Sequence, residues 1–178
     1  MNLSKLVSTK EREAILVEIL PKKDKISVAE TARNLGISKG FVSRYLAILK
    51  KEKILKKTNG DYFIDANLDV RLLRIILSLK HFAQFDFRKY TFVTGVGIYG
   101  SCVKGENSED SDIDLWIKIS KRNEFALAEL STALKKKFKN VSPLYLTDEK
   151  LKILEKEDVP FLHSLVFGSI KIYGDDLV

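Results

Sequence analysis

Apolar positions recur every three to four residues through the first third of the chain, then alternate or cluster in short runs through the second half. Ile15, Leu16, Ile19 and Leu20 mark one face of a first helix, which Pro21 stops. Ser27-Val28-Ala29-Glu30 has the form of a capping box and opens a second helix running to about Leu35, closed by Gly36. Ser38 caps a third, Lys39 to about Glu52, with Val42, Leu46 and Leu49 on its apolar face. Two strand-like runs follow, Ile54 to Lys57 and Asp61 to Ile64, and Asn59-Gly60 between them predicts a hairpin. Asn67 caps a helix from Leu68 to about Phe85, its face marked by Val70, Leu73, Ile76 and Leu77.

Past residue 90 the pattern predicts strands at Val96–Tyr99 and Asp112–Ile119, a helix from Asn123, and strands at Val141–Leu146 and Ser169–Tyr173. The Asn123 helix carries Phe125, Ala128, Leu130 and Leu134, and closes in the run Lys135, Lys136, Lys137, Phe138, Lys139, which suits the negative end of a helix dipole. A short helix is expected over Asp158 to Phe167.

The composition narrows the class of protein. No apolar run reaches the ~20 residues of a membrane span, and Met1 to Lys5 has no apolar signal-peptide core, so no membrane partner and a cytoplasmic location are expected. A single cysteine, Cys102, excludes an intramolecular disulfide and reads as a small buried residue. His81 and His163 have no second His or Cys nearby and read as surface or core residues. The net charge of +7 is uneven: residues 1–66 hold 14 Lys and Arg against 8 Asp and Glu, whereas residues 67–178 hold 17 against 16. That bias suits a polyanion partner for the first part.

The densest chemistry lies between the first two strands of the second half. Gly100-Ser101 follows one strand, ten residues intervene, and Asp112-Ile113-Asp114-Leu115 opens the next. Residues i and i+2 of a strand share a face, so Asp112 and Asp114 project together while Ile113, Leu115 and Ile117 point into a core. Two like charges on one face repel, and a hard cation such as Mg²⁺ relieves them. A glycine lets backbone approach a phosphate closely, and a hydroxyl with free N–H groups makes an anion cradle.

This string resembles the signature of the polymerase beta-type nucleotidyltransferases, in particular their minimal single-domain branch. The resemblance covers about Thr91 to Gly174, including the closing Ile172-Tyr173-Gly174. It implies that Gly100 and Ser101, with Lys104 and Ser111, hold the triphosphate of a nucleoside triphosphate, and that Asp112 and Asp114 chelate two Mg²⁺ ions. The implied reaction passes a nucleoside monophosphate to an acceptor hydroxyl, which resemblance to minimal nucleotidyltransferase antitoxins places on a partner protein such as a toxin; a small molecule or nucleic-acid end is the other option. There is one departure. The family takes a third carboxylate from the strand after the long helix, but Val141 to Leu146 contains no acid, and Asp148 and Glu149 lie beyond it.

The stretch Ala29 to Ile64 is similar to the winged helix-turn-helix domains of transcription regulators. The resemblance implies a third helix in the DNA major groove, with Lys39, Gly40, Ser43 and Arg44 outward and Lys56 and Lys57 at the base of the wing. Tyr45 reads as packing, and a homodimer is expected because such regulators read two half-sites. The fold class expected is α+β: a winged helix-turn-helix over 1–66, a connecting helix over 67–90, and a small mixed-sheet nucleotidyltransferase domain flanked by helices over 91–178. Two functions compete. One is a Mg²⁺-dependent nucleotidyltransferase coupled to DNA binding. The other is a DNA-binding regulator whose transferase domain senses nucleotide or dimerises.

Overall fold

A computed structural model describes residues 2–121, 123–138 and 140–178; Met1, Arg122 and Lys139, the last of the lysine run, lie outside the described residues. The chain divides into two compact units, Met1–Arg74 and Ile75–Val178.

In the first unit, α1 (Leu3–Leu6) leads into α2 (Lys10–Ile19), α3 (Val28–Leu35) and α4 (Lys39–Lys51), then strands β1 (Leu55–Thr58) and β2 (Asp61–Ile64). Each longer helix begins at a side chain that satisfies a free N–H: Thr9 accepts from Arg12, Ser27 from Glu30 and Ser38 from Phe41. Glu30 does more than mark a cap, since its carboxylate accepts from Lys22 Nζ at 2.7 Å. Gly36 ends α3 in the left-handed region at φ 64, which a side chain would disfavour. β1 and β2 pair antiparallel with Leu55 opposite Ile64, and the turn places Asn59 and Gly60 at positive φ. Ile15, Leu16, Leu46 and Leu49 are fully buried in this unit. Tyr45 joins them, its hydroxyl donating to the Leu6 carbonyl at 2.6 Å, so packing accounts for it.

Helix α5 (Leu68–Phe82) begins in the first unit and ends in the second, three residues short of the expected Phe85. Val70 and Leu73 are buried as its pattern requires, whereas Ile76 is 48% exposed. After a 3-10 turn at Phe87–Lys89 come β3 (Val93–Tyr99), α6 (Ser101–Lys104), β4 (Ile113–Ile119), α7 (Glu124–Lys137), β5 (Val141–Leu146), α8 (Asp148–Glu157), α9 (Val159–Phe167) and β6 (Ile170–Gly174). The sheet order is β5-β4-β3-β6. β4 and β5 run parallel, joined through α7, and the other two pairs are antiparallel. The unit is a mixed sheet with helices, as an α+β nucleotidyltransferase domain requires.

Alternation along β4 sends side chains into two apolar clusters. Leu115 and Ile117 pack with Ile98, Leu130, Leu134 and Phe138. Trp116 points the other way, among Leu146, Leu151, Leu162, Leu165 and Leu177. Its ring lies across Gly97, where a Cβ would collide with it, and its Nε1–H donates to Ser169 Oγ at 2.9 Å. The face that carries Asp114 at one end is therefore dry core two residues further on.

Two expectations on α7 and β4 need correction. Phe125 is 90% exposed and Ala128 is exposed, because the buried stripe of α7 runs through Leu127, Leu130 and Leu134. Asp112 lies one residue before β4 rather than within it.

Candidate active site

β3 ends at Tyr99, and Gly100 turns the chain at φ 71, ψ −143 into α6. That conformation belongs to glycine almost alone. A second constraint applies at the same residue: a Cβ on Gly100 would press into the Asp114 carboxylate. The glycine is what lets the Gly-Ser turn and this acid lie in contact.

Behind the turn the chain is tied down. Glu106 N–H donates to the Ser101 carbonyl at 3.0 Å, and Gly105 at φ 66 ends α6. Ser111 closes the loop, its hydroxyl accepting from Ser108 N–H at 2.8 Å. Asn107 sits between these anchors, and its Oδ1 is buried with no hydrogen-bond partner among the described residues. Lys104 is the last residue of α6 and is exposed. Cys102 is buried, and burial followed by the charge of Asp114 pushes its thiol up to about 11, which makes it a packing residue rather than a nucleophile.

Asp114 is half-buried, and Asp112 is exposed. Burial, then the negative charge of Asp112, push the Asp114 carboxyl above its usual value. Its register partners are Tyr99 on β3 and Ser142 on β5, so the sheet presents a row Tyr99, Asp114, Ser142 across three strands. Burial, then Asp114, push the Tyr99 phenol up as well. Sequence reasoning missed Tyr99 and Ser142 as register partners of Asp114, and Asn107 as a buried polar residue of the loop. Only Tyr99 carried a signal, adjacency to Gly100; the place of Ser142 depends on pairing across α7.

Among the described residues no third Asp, Glu, His or Cys joins the pair in a cluster able to hold a metal. Asp148 lies instead near Lys118 Nζ, at 3.7 Å. Lys118 is four residues along β4 from Asp114, which is ~13 Å at strand rise.

The donor set suits magnesium. Two carboxylates two residues apart, one of them half-buried and raised by burial and then by the other's charge, gain from a hard divalent cation between them. The orphaned Asn107 oxygen adds a further polar atom to the loop that leads into Asp112.

The family profile described as Polymerase beta, Nucleotidyltransferase matches residues 84–177. That span is more than half of the chain, and the chain belongs to this family, whose activity is transfer of nucleotidyl groups. Among curated proteins, none matches this chain. No helix among the described residues is long and apolar enough to cross a membrane.

The first unit presents a different surface. Lys39, Gly40, Ser43 and Arg44 are exposed on the first turns of α4, and Lys56 and Lys57 are exposed on β1. Lys57 Nζ lies 5.4 Å from the Tyr62 ring centroid across the hairpin. Gly40 is required by neither conformation nor packing: the nearest atom to a Cβ there is the tip of Arg44, at 3.9 Å.

Proposed function

We propose that this protein transfers a nucleoside monophosphate from a nucleoside triphosphate to an acceptor hydroxyl with magnesium as cofactor, and that its first unit is a winged helix-turn-helix that binds DNA. The observation that carries the transferase reading is the contact between the Gly100 turn and the Asp114 carboxylate at the ends of β3 and β4. It supports this reading because a bend suited to anions lies beside an acid suited to a cation, which is what a metal-bound triphosphate needs.

In this reading Gly100 and Ser101 receive the phosphates by backbone N–H and hydroxyl, Ser111 fixes the loop, and Lys104 stands at its rim. Asp112 and Asp114 hold two magnesium ions. Bound magnesium neutralises the phosphates and the charge that builds on the departing pyrophosphate. The acceptor oxygen bonds to the α-phosphorus, the bond from that phosphorus to the bridging oxygen breaks, pyrophosphate leaves, and the hydroxyl proton is lost to a base or to water. An acceptor hydroxyl on a partner protein fits the open, solvent-facing Asp112 end of the site.

The DNA reading is supported by the cluster of exposed cations on α4 and β1 and by the charge excess of residues 1–66. That no third acid joins the pair among the described residues favours a second reading for the sheet unit, a nucleotide sensor with little turnover. Incubation with labelled ATP or CTP, Mg²⁺ and candidate acceptors separates the two. The transferase labels an acceptor, and Asp112→Ala and Asp114→Ala each lower labelling by at least about 10³-fold. Retained nucleotide binding with no acceptor labelled identifies the sensor.

A further inference from the structure

We infer that position 142 is the third position of the cation site, and that Ser142 leaves it one carboxylate short, so that the chain grips a magnesium nucleotide and transfers from it slowly. This rests on the reading of Asp112 and Asp114 given above.

The register carries the argument. β5 runs parallel to β4, and Ser142 is the partner of Asp114. Neighbouring strands lie ~4.8 Å apart, and partnered side chains stand on the same face. Ser142 is exposed while Val141 before it is buried, so its hydroxyl faces solvent at the end of the sheet where the acids lie. The other flank of Asp114 is filled by Tyr99, which leaves position 142 as the open side of the row.

A carboxylate there has two uses. It adds a charged oxygen donor to the cation, and it takes the proton from an acceptor hydroxyl. A serine hydroxyl is neutral and holds its own proton, so it does neither. The other acids near β5 do not substitute, because Asp148 and Glu149 follow the far end of the strand, where Leu146 is level with Lys118. Binding through two acids survives this arrangement, and the acceptor proton is left to water, which slows transfer.

The test compares Ser142→Asp and Ser142→Glu with Ser142→Asn, an uncharged isostere of the first. Calorimetry of ATP binding across a Mg²⁺ series reads the cation site directly. The acidic variants are expected to reach half-saturation at about tenfold less Mg²⁺ than the asparagine variant. In EDTA they are expected to melt lower than wild type, since three like charges then share one end of the sheet, and Mg²⁺ is expected to raise them more than it raises wild type. Label transfer is expected to rise about 10²-fold. Should one acidic variant fold poorly, the other gives the same readings at a different side-chain length. Equal Mg²⁺ requirement in all three variants, with metal-dependent binding lost in Asp112→Asn and Asp114→Asn, overturns the placement of position 142. Tighter Mg²⁺ binding without faster transfer overturns the claim about turnover. No metal-dependent ATP binding in wild type overturns both this inference and the reading beneath it.

Discussion

The two units arrange their charge in opposite ways. In the sheet unit Asp114 lies against Gly100, which holds a conformation disfavoured for any side chain, and Asp112 precedes it by two residues, at places fixed by strand register and by a tied loop. In the helical unit Lys39, Arg44, Lys50, Lys51, Lys53, Lys56 and Lys57 are all exposed along α4 and the hairpin. The first arrangement concentrates like charge where it is unfavourable until a cation arrives. The second spreads it in solvent, where each residue adds a small, screened attraction to a polyanion. Single substitutions are therefore expected to act steeply in one unit and gradually in the other.

Gly100→Ala is the sharpest of these. The methyl group meets Asp114, and the backbone conformation disfavours any side chain, so the variant is expected to lose roughly 1–3 kcal/mol of stability. Metal-dependent nucleotide binding or transfer is expected to fall about 10²-fold, the scale of a misplaced site. Thermal melts and calorimetry read both, and a variant with wild-type Mg²⁺ and ATP binding contradicts the contact as the organising feature.

In the helical unit Arg44→Ala is expected to weaken DNA binding by about 1–3 kcal/mol, measured by fluorescence anisotropy. Lys57→Ala is expected to reduce the slope of log affinity against log salt by about one. Affinity indifferent to salt would remove the contrast between the units.

The smallest effect has the least intuitive sign. The raised carboxyl of Asp114 makes its ionised form unfavourable in the metal-free fold, so this group weakens the fold above the ordinary carboxylate range and ceases to do so as pH falls through its raised value. Asp114→Asn is accordingly expected to stabilise the metal-free protein near neutral pH by about 0.5 kcal/mol or less, the scale of a solvent-screened pair. The gain should shrink in acid and be replaced by a deficit once saturating Mg²⁺ and ATP are present. A destabilised metal-free variant would show that Asp114 has a favourable partner in the fold.

Much of this was legible in the sequence where local rules govern. Caps at Ser27, Ser38 and Asn67, the Asn59-Gly60 turn, and the alternation through Leu115 and Ile117 all act over a few residues. What lay beyond reach depends on distant chain. Helix α8 is hard to see in the sequence because Asp148–Glu157 is mostly charged and shows only a thin apolar stripe at Leu151 and Leu154; its Thr147 cap is the available signal. Phe125 was misassigned because a hydrophobic side chain at a helix start does not reveal which face is covered. Gly100 was read as room for a phosphate, and the structure adds a nearer reason, the Asp114 carboxylate. The pairing of Ser142 with Asp114 needs the parallel register across α7, which no spacing in the sequence encodes.

The central question is whether the aspartate pair binds nucleotide through a divalent ion. Calorimetric titration of ATP into the full chain, with Mg²⁺ and again with EDTA, asks this directly. The expected result is binding that requires Mg²⁺ and is lost in both Asp112→Asn and Asp114→Asn. Equal affinity with and without the cation, or binding unchanged in the Asp114 variant, would contradict it.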